Sequence, residues 1–88
     1  MQYVREWPIR LYFFEEDGRT QARVWLKPGV STLEAVGEAL CEPGEFDVPE
    51  IGDEVAAGRA LVALGEKLLR SSETDIEDLR GTAVHIDP

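Results

Sequence analysis

The chain has 88 residues, with nine Lys and Arg against eighteen Asp and Glu, a formal net charge of −9. That length carries one domain and one core, and a chain this short buries only about 60% of its unfolded surface, so a partner subunit would add to a modest stability. The acidity lies mostly in residues 42–88, with twelve acidic and four basic groups, and its field opposes free nucleic acid and anionic membrane, so direct nucleic-acid binding and membrane contact are not expected.

In residues 7–14 the odd positions Trp7, Ile9, Leu11 and Phe13 are apolar, and the even ones are Pro8, Arg10, Tyr12 and Phe14. A period of two with one wholly apolar face predicts a half-buried strand. Residues 15–19 form a turn, with Asp17-Gly18 as its hairpin signal. A second strand over residues 20–27 turns Ala22, Val24 and Leu26 inward and Arg23, Trp25 and Lys27 outward, and Pro28-Gly29 ends it. A third, over residues 32–42, alternates Leu33, Ala35, Gly37, Ala39 and Cys41 inward with Glu34, Val36, Glu38, Leu40 and Glu42 outward. The small inward set predicts a helix lying close to that part of the sheet.

An acidic connection over residues 43–47 leads to Val48-Pro49, which restricts the backbone just before a helix. The helix is expected over residues 50–71, opening with Glu50, Asp53 and Glu54, which suit the positive end of its dipole. Ile51, Val55, Val62 and Leu69 follow one flank and Ala57, Leu61, Leu64 and Leu68 the adjoining one, a broad stripe to cover the sheet. Gly58 and Gly65 cost about 1 kcal/mol each relative to Ala, which points to close backbone approach by sheet or partner. Thr74-Asp75-Ile76-Glu77 fits a capping box for a short second helix over residues 75–80, stopped by Gly81. Residues 82–86 are read as a fourth, edge strand. The fold class is therefore α+β: a three-stranded antiparallel sheet packed by a long C-terminal helix plus a short helix, in a single domain over residues 1–88.

The run Val48-Pro49-Glu50-Ile51-Gly52-Asp53-Glu54, with Arg59-Ala60-Leu61, Leu64, Leu68-Leu69, Asp75-Ile76-Glu77 and Val84-His85 after it and Glu6-Trp7-Pro8 and Ala22-Arg23 before it, resembles a family of small actinobacterial proteins. These have a double-stranded-RNA-binding-domain-like (dsRBD-like) fold and no assigned function. The resemblance implies homodimers and a stress- or hypoxia-associated role, with some members likened in shape to ribosome hibernation factors. True dsRNA-binding domains place lysines at the start of their C-terminal helix and use an N-terminal helix in the minor groove. Here Glu50, Asp53 and Glu54 open that helix and no N-terminal helix is apparent, so the fold label carries little functional weight.

The outer face of the sheet is the candidate site. Arg10, Tyr12 and Phe14 fall beside Arg23, Trp25 and Lys27, a set that suits either base stacking or a protein interface. Glu34, Glu38 and Glu42 on the same face favour the interface, because cross-strand pairing would neutralise the basic groups. No catalytic, cofactor-binding or metal-ligating set is expected. His85 is the sole histidine and has no recognisable nucleophile near it, and the acidic groups lack calcium-loop spacing. Cys41 is the sole cysteine, which excludes an intrachain disulfide and suits a reducing cytoplasm, where a buried, unreactive thiol is expected. The N-terminus lacks a long apolar segment, and the expected location is cytoplasmic. The sequence thus reads as a non-catalytic interaction protein, expected to be a homodimer with a ribosome or another protein as a further partner; the alternative is a ribosome- or RNA-associated hibernation-type factor.

Overall fold

Alternating side chains and one tight turn set up the sheet. In the computed structural model, which describes residues 2–29, 31–40, 49–81 and 85–86, strands β1 (Ile9–Glu16), β2 (Arg19–Leu26) and β3 (Leu33–Leu40) precede a helix, α1 (Pro49–Arg80). The sheet is antiparallel in the order β1-β2-β3. Asp17 and Gly18 alone form the hairpin loop, with φ of 49° and 76°. Positive φ at both positions is the type I′ geometry, whose twist matches the strands it joins. Glu15, Glu16 and Arg19, expected in the turn, therefore continue the ladder, with Glu16 opposite Arg19. At the other end β1 begins at Ile9, so Trp7 and Pro8 lead into the strand and are not part of it.

The expected short second helix over residues 75–80 does not exist as a separate element: α1 runs unbroken for 32 residues. The hydroxyls of Ser72 and Thr74 donate back to the Leu69 and Arg70 carbonyls, at 2.8 and 3.2 Å, so neither starts a new helix. This back-bonding is how such residues are accommodated inside a helix. Gly81 ends it, with φ of 71° and its N–H on the Glu77 carbonyl at 2.6 Å. At about 48 Å, α1 is nearly twice the length of the eight-residue strands and overhangs the sheet. His85 and Ile86 lie outside any strand, and the remainder of the proposed fourth strand, like Cys41 and Glu42, lies outside the described residues.

The core differs from expectation in which faces it uses. Its buried members are Ala22, Val24, Leu26, Ala35, Ala39, Ala56, Ala60 and Leu64, with Leu33, Ala63 and Leu68 partly buried beside them. The helix row that meets the sheet is thus Ala56-Ala60-Leu64, spaced four apart, and Ile51, Val55, Leu61 and Val62 are exposed. Small residues on both sides draw the backbones together: a Cβ on Gly37 would collide with the Ala56 carbonyl oxygen and the Ala60 nitrogen. The small inward set of β3 does what the sequence suggested. Gly58 and Gly65, by contrast, meet nothing within 4 Å, so no close approach among the described residues explains them.

The helix lies over β3 and β2 and leaves β1 uncovered. Every residue of β1 is exposed, so the half-buried strand expected from its alternation is not half-buried in the single chain. The odd positions Ile9, Leu11 and Phe13 stand on the helix side of the sheet, opposite the buried Leu26, Val24 and Ala22. They remain 50%, 40% and 41% exposed, since α1 packs against β3 and β2.

Candidate interaction surface

Four cross-strand rows build the outer face of the sheet, the last of them Glu16, Arg19 and Leu40 next to the hairpin loop. Arg10 stands opposite Trp25, which stands opposite Glu34. Tyr12, Arg23 and Val36 form the next row, and Phe14, Gln21 and Glu38 the third. Five of the six residues singled out from the sequence, Arg10, Tyr12, Phe14, Arg23 and Trp25, therefore share one face, whereas Lys27 follows the end of β2 and is in no row.

The middle of this face is held by contacts within the chain. Arg23 Nη1 lies 3.9 Å from Glu34 Oε1, and its Nε donates to Gln21 Oε1 at 3.1 Å. Gln21 in turn donates to Glu38 Oε1 at 3.2 Å. The Arg23 guanidinium also sits 5.3 Å from the centre of the Phe14 ring, which meets Tyr12 edge-on at 5.7 Å. These are favourable aromatic and cation–π geometries. Glu34 thus takes up Arg23, as cross-strand neutralisation predicts. The ion pair is partly solvated, so it orients Arg23 more than it stabilises the fold. Tyr12, Phe14, Val36 and Leu40 are exposed and Trp25 is half-buried, which leaves an apolar patch around the fixed cation.

Two features escaped the sequence reading. The first is the apolar surface on the helix side of β1, formed by Ile9, Leu11 and Phe13. The second is a pair of cations on α1 that reach over the free edge of β3. Arg59 Nη1 donates to the Glu38 carbonyl at 2.6 Å, and Lys67 Nζ donates to the Glu34 carbonyl. Their spacing of eight residues puts both on one flank of the helix, and that spacing was the available signal. Elsewhere, an open cleft of about 470 Å³ separates Trp7 and Pro28-Gly29 from α1 at Leu68, Ser72 and Asp75. His85 Nδ1 lies 3.4 Å from Glu73 Oε2. Among the described residues there is no cluster of three or more metal-ligating side chains, and no helix is long and apolar enough to cross a membrane.

The chain is similar to mycobacterial proteins across most of its length. It is 38% identical over 74 residues to the uncharacterised protein Mb1767 of Mycobacterium bovis, covering 84% of this chain and 79% of that one. It is equally identical over 63 residues to the uncharacterised protein Rv2632c of Mycobacterium tuberculosis, covering 72% and 68%. The crystal structure of Rv2632c superposes with a TM-score of 0.82 at 32% identity, covering 88% of this chain and 92% of that one. The Rv2632c-like family pattern matches residues 5–85, and the chain belongs to that family.

Proposed function

We propose that this chain is a non-catalytic interaction protein that works as a homodimer, joined through the outer face or the edge of its sheet. The observation that carries the reading is an inverted distribution of side-chain size. Among the described residues, five of the eight buried apolar ones are alanines, whereas Trp7, Ile9, Leu11, Tyr12, Phe13 and Phe14 all stand at the surface. Large aromatic and aliphatic groups supply most burial energy, so a chain that leaves them outside gains most by covering them with a partner. Trp25 and Tyr12 are the anchors on the outer face, where buried aromatics dominate interface energy. Analytical ultracentrifugation tests this: Trp25→Ala should raise the monomer fraction, and an unchanged mass distribution would refute the outer-face role.

A second reading is a dimer that docks on the ribosome as a stress- or dormancy-associated factor in the cytoplasm. It rests on the resemblance to hibernation factors and on Arg10 and Lys27, which have no ion pair among the described residues. Co-sedimentation with ribosomes across a salt series tests it, and absence of association even at low salt would exclude it.

A further inference from the structure

The two edges of the sheet are treated in opposite ways. At β3 the outward carbonyls of Glu34 and Glu38 accept hydrogen bonds from Lys67 and Arg59, so that edge is occupied by the chain's own helix. At β1 nothing comparable exists among the described residues, and the helix stands over the far side of the sheet. Hairpin geometry fixes which β1 groups are free. In a two-residue type I′ hairpin the flanking residues, here Glu16 and Arg19, exchange both hydrogen bonds. Bonded positions then alternate along the strand, so Arg10, Tyr12, Phe14 and Glu16 face β2. Ile9, Leu11, Phe13 and Glu15 turn their N–H and C=O outward.

We propose that β1 pairs antiparallel with β1 of a second copy of this chain, about a two-fold axis at Leu11, to make a six-stranded sheet. This rests on the homodimer reading and names the surface that joins the two chains. The register follows from side-chain chemistry. Centred on Leu11, the pairing sets Ile9 against the partner's Phe13 and Leu11 against the partner's Leu11 on the helix side. On the other side it sets Arg10 against the partner's Tyr12, a cation over an aromatic ring. Centring on Tyr12 would oppose Ile9 to the partner's Glu15, and centring on Arg10 would oppose like charges, both unfavourable in cross-strand pairs.

The occupant is a second copy and not an arbitrary segment because the strand is complementary to itself in this register. All three outward backbone positions that pair carry apolar side chains on the face left bare by the helix. Leu61, two residues on from Arg59 and so on the opposite flank of α1, is 44% exposed. On the helix side the pairing covers Ile9, Leu11 and Phe13, which are 50%, 40% and 41% exposed in the single chain, and the backbone bonds of an added strand contribute beside them.

The test uses the full chain and reads amide hydrogen exchange by NMR alongside sedimentation. In the dimer, the Leu11 and Phe13 amides should exchange about tenfold or more slowly than in the dilute monomer. Tyr12, already bonded to β2, should change far less. Phe13→Lys, which places a charge on the helix side of the edge as natural open edges do, should give monomer with the sheet intact. Phe14→Ser, on the outer face, should leave the edge protection in place. A dimer with unprotected Leu11 and Phe13 amides would overturn edge pairing while sparing the homodimer. A chain that stays monomeric at every concentration would overturn both, and leave the edge to an extended segment of another protein.

Discussion

Gly37 and Ala56 meet backbone against backbone, with no room for a single methyl group between strand and helix. This contact sets how closely α1 lies on β3, and with Ala22, Ala35, Ala39 and Ala60 it explains a core built from small side chains. Gly37→Ala should therefore force the helix outward and cost about 1–3 kcal/mol, as overpacking a tight interior does. Urea unfolding at fixed protein concentration measures it, and a loss below about 0.5 kcal/mol, the scatter of surface substitutions, would contradict the tight contact.

Leu26 and Leu79 make a matched pair for the same measurement. Leu26 is 1% exposed and is the largest fully buried side chain among the described residues, whereas Leu79 is 87% exposed on the helix overhang. Leu26→Ala should cost about 2–5 kcal/mol. Leu79→Ala should remain within about 0.5 kcal/mol of the parent.

The type I′ loop gives a backbone prediction. Gly18 holds φ of 76° next to Asp17 at 49°, and a β-carbon at Gly18 costs about 1 kcal/mol in that region. Gly18→Ala should lower the thermal midpoint by about 4–8 °C for a domain of this size. Because the loop sets the register of β1 on β2, amide chemical shifts along Ile9–Glu16 should move more than those of α1.

On the outer face, Glu34 and Glu38 hold Arg23 and Gln21. Glu34→Gln with Glu38→Gln should scarcely alter stability, since exposed pairs contribute about 0–1 kcal/mol. It should, however, raise affinity for single-stranded RNA at low salt, measured by fluorescence anisotropy, with the gain lost as salt increases. Equal binding by parent and variant at low salt would show that these carboxylates do not screen the aromatic–basic surface.

Arg59→Ala with Lys67→Ala strips the donors from the Glu38 and Glu34 carbonyls. The expected change in unfolding free energy is small, about 1 kcal/mol per bond. The larger effect should be kinetic: light scattering on mild heating should rise faster than in the parent, because an unblocked strand edge templates pairing.

Sequence periodicity located the three strands and the inward and outward sides of each, and the two φ-positive residues of Asp17-Gly18 fixed the hairpin. It also placed Arg10, Tyr12, Phe14, Arg23 and Trp25 on one face. What it did not reveal was burial. Alternation in β1 says that Ile9, Leu11 and Phe13 share a side, but not that the helix stops short of them. That depends on which helix row docks, and the row chosen was the narrow Ala56-Ala60-Leu64 and not the larger Ile51-Val55-Val62. Small residues permit the closest approach, while the bulkier stripe is left outside. The second helix failed for a local reason: between Gly65 and Gly81 no glycine or proline interrupts α1, and the Ser72 and Thr74 hydroxyls bond to carbonyls one turn back.

The unequal edges of the sheet bear on how far assembly can proceed. A contact that uses the same patch on both protomers exhausts itself once made, whereas two sticky edges on one molecule would add copies without end. With Arg59 and Lys67 on the β3 carbonyls and β1 bare, the proposed β1 pairing would stop at two chains. The same apolar strand that would invite fibres in a sheet open on both sides would then yield a finite particle.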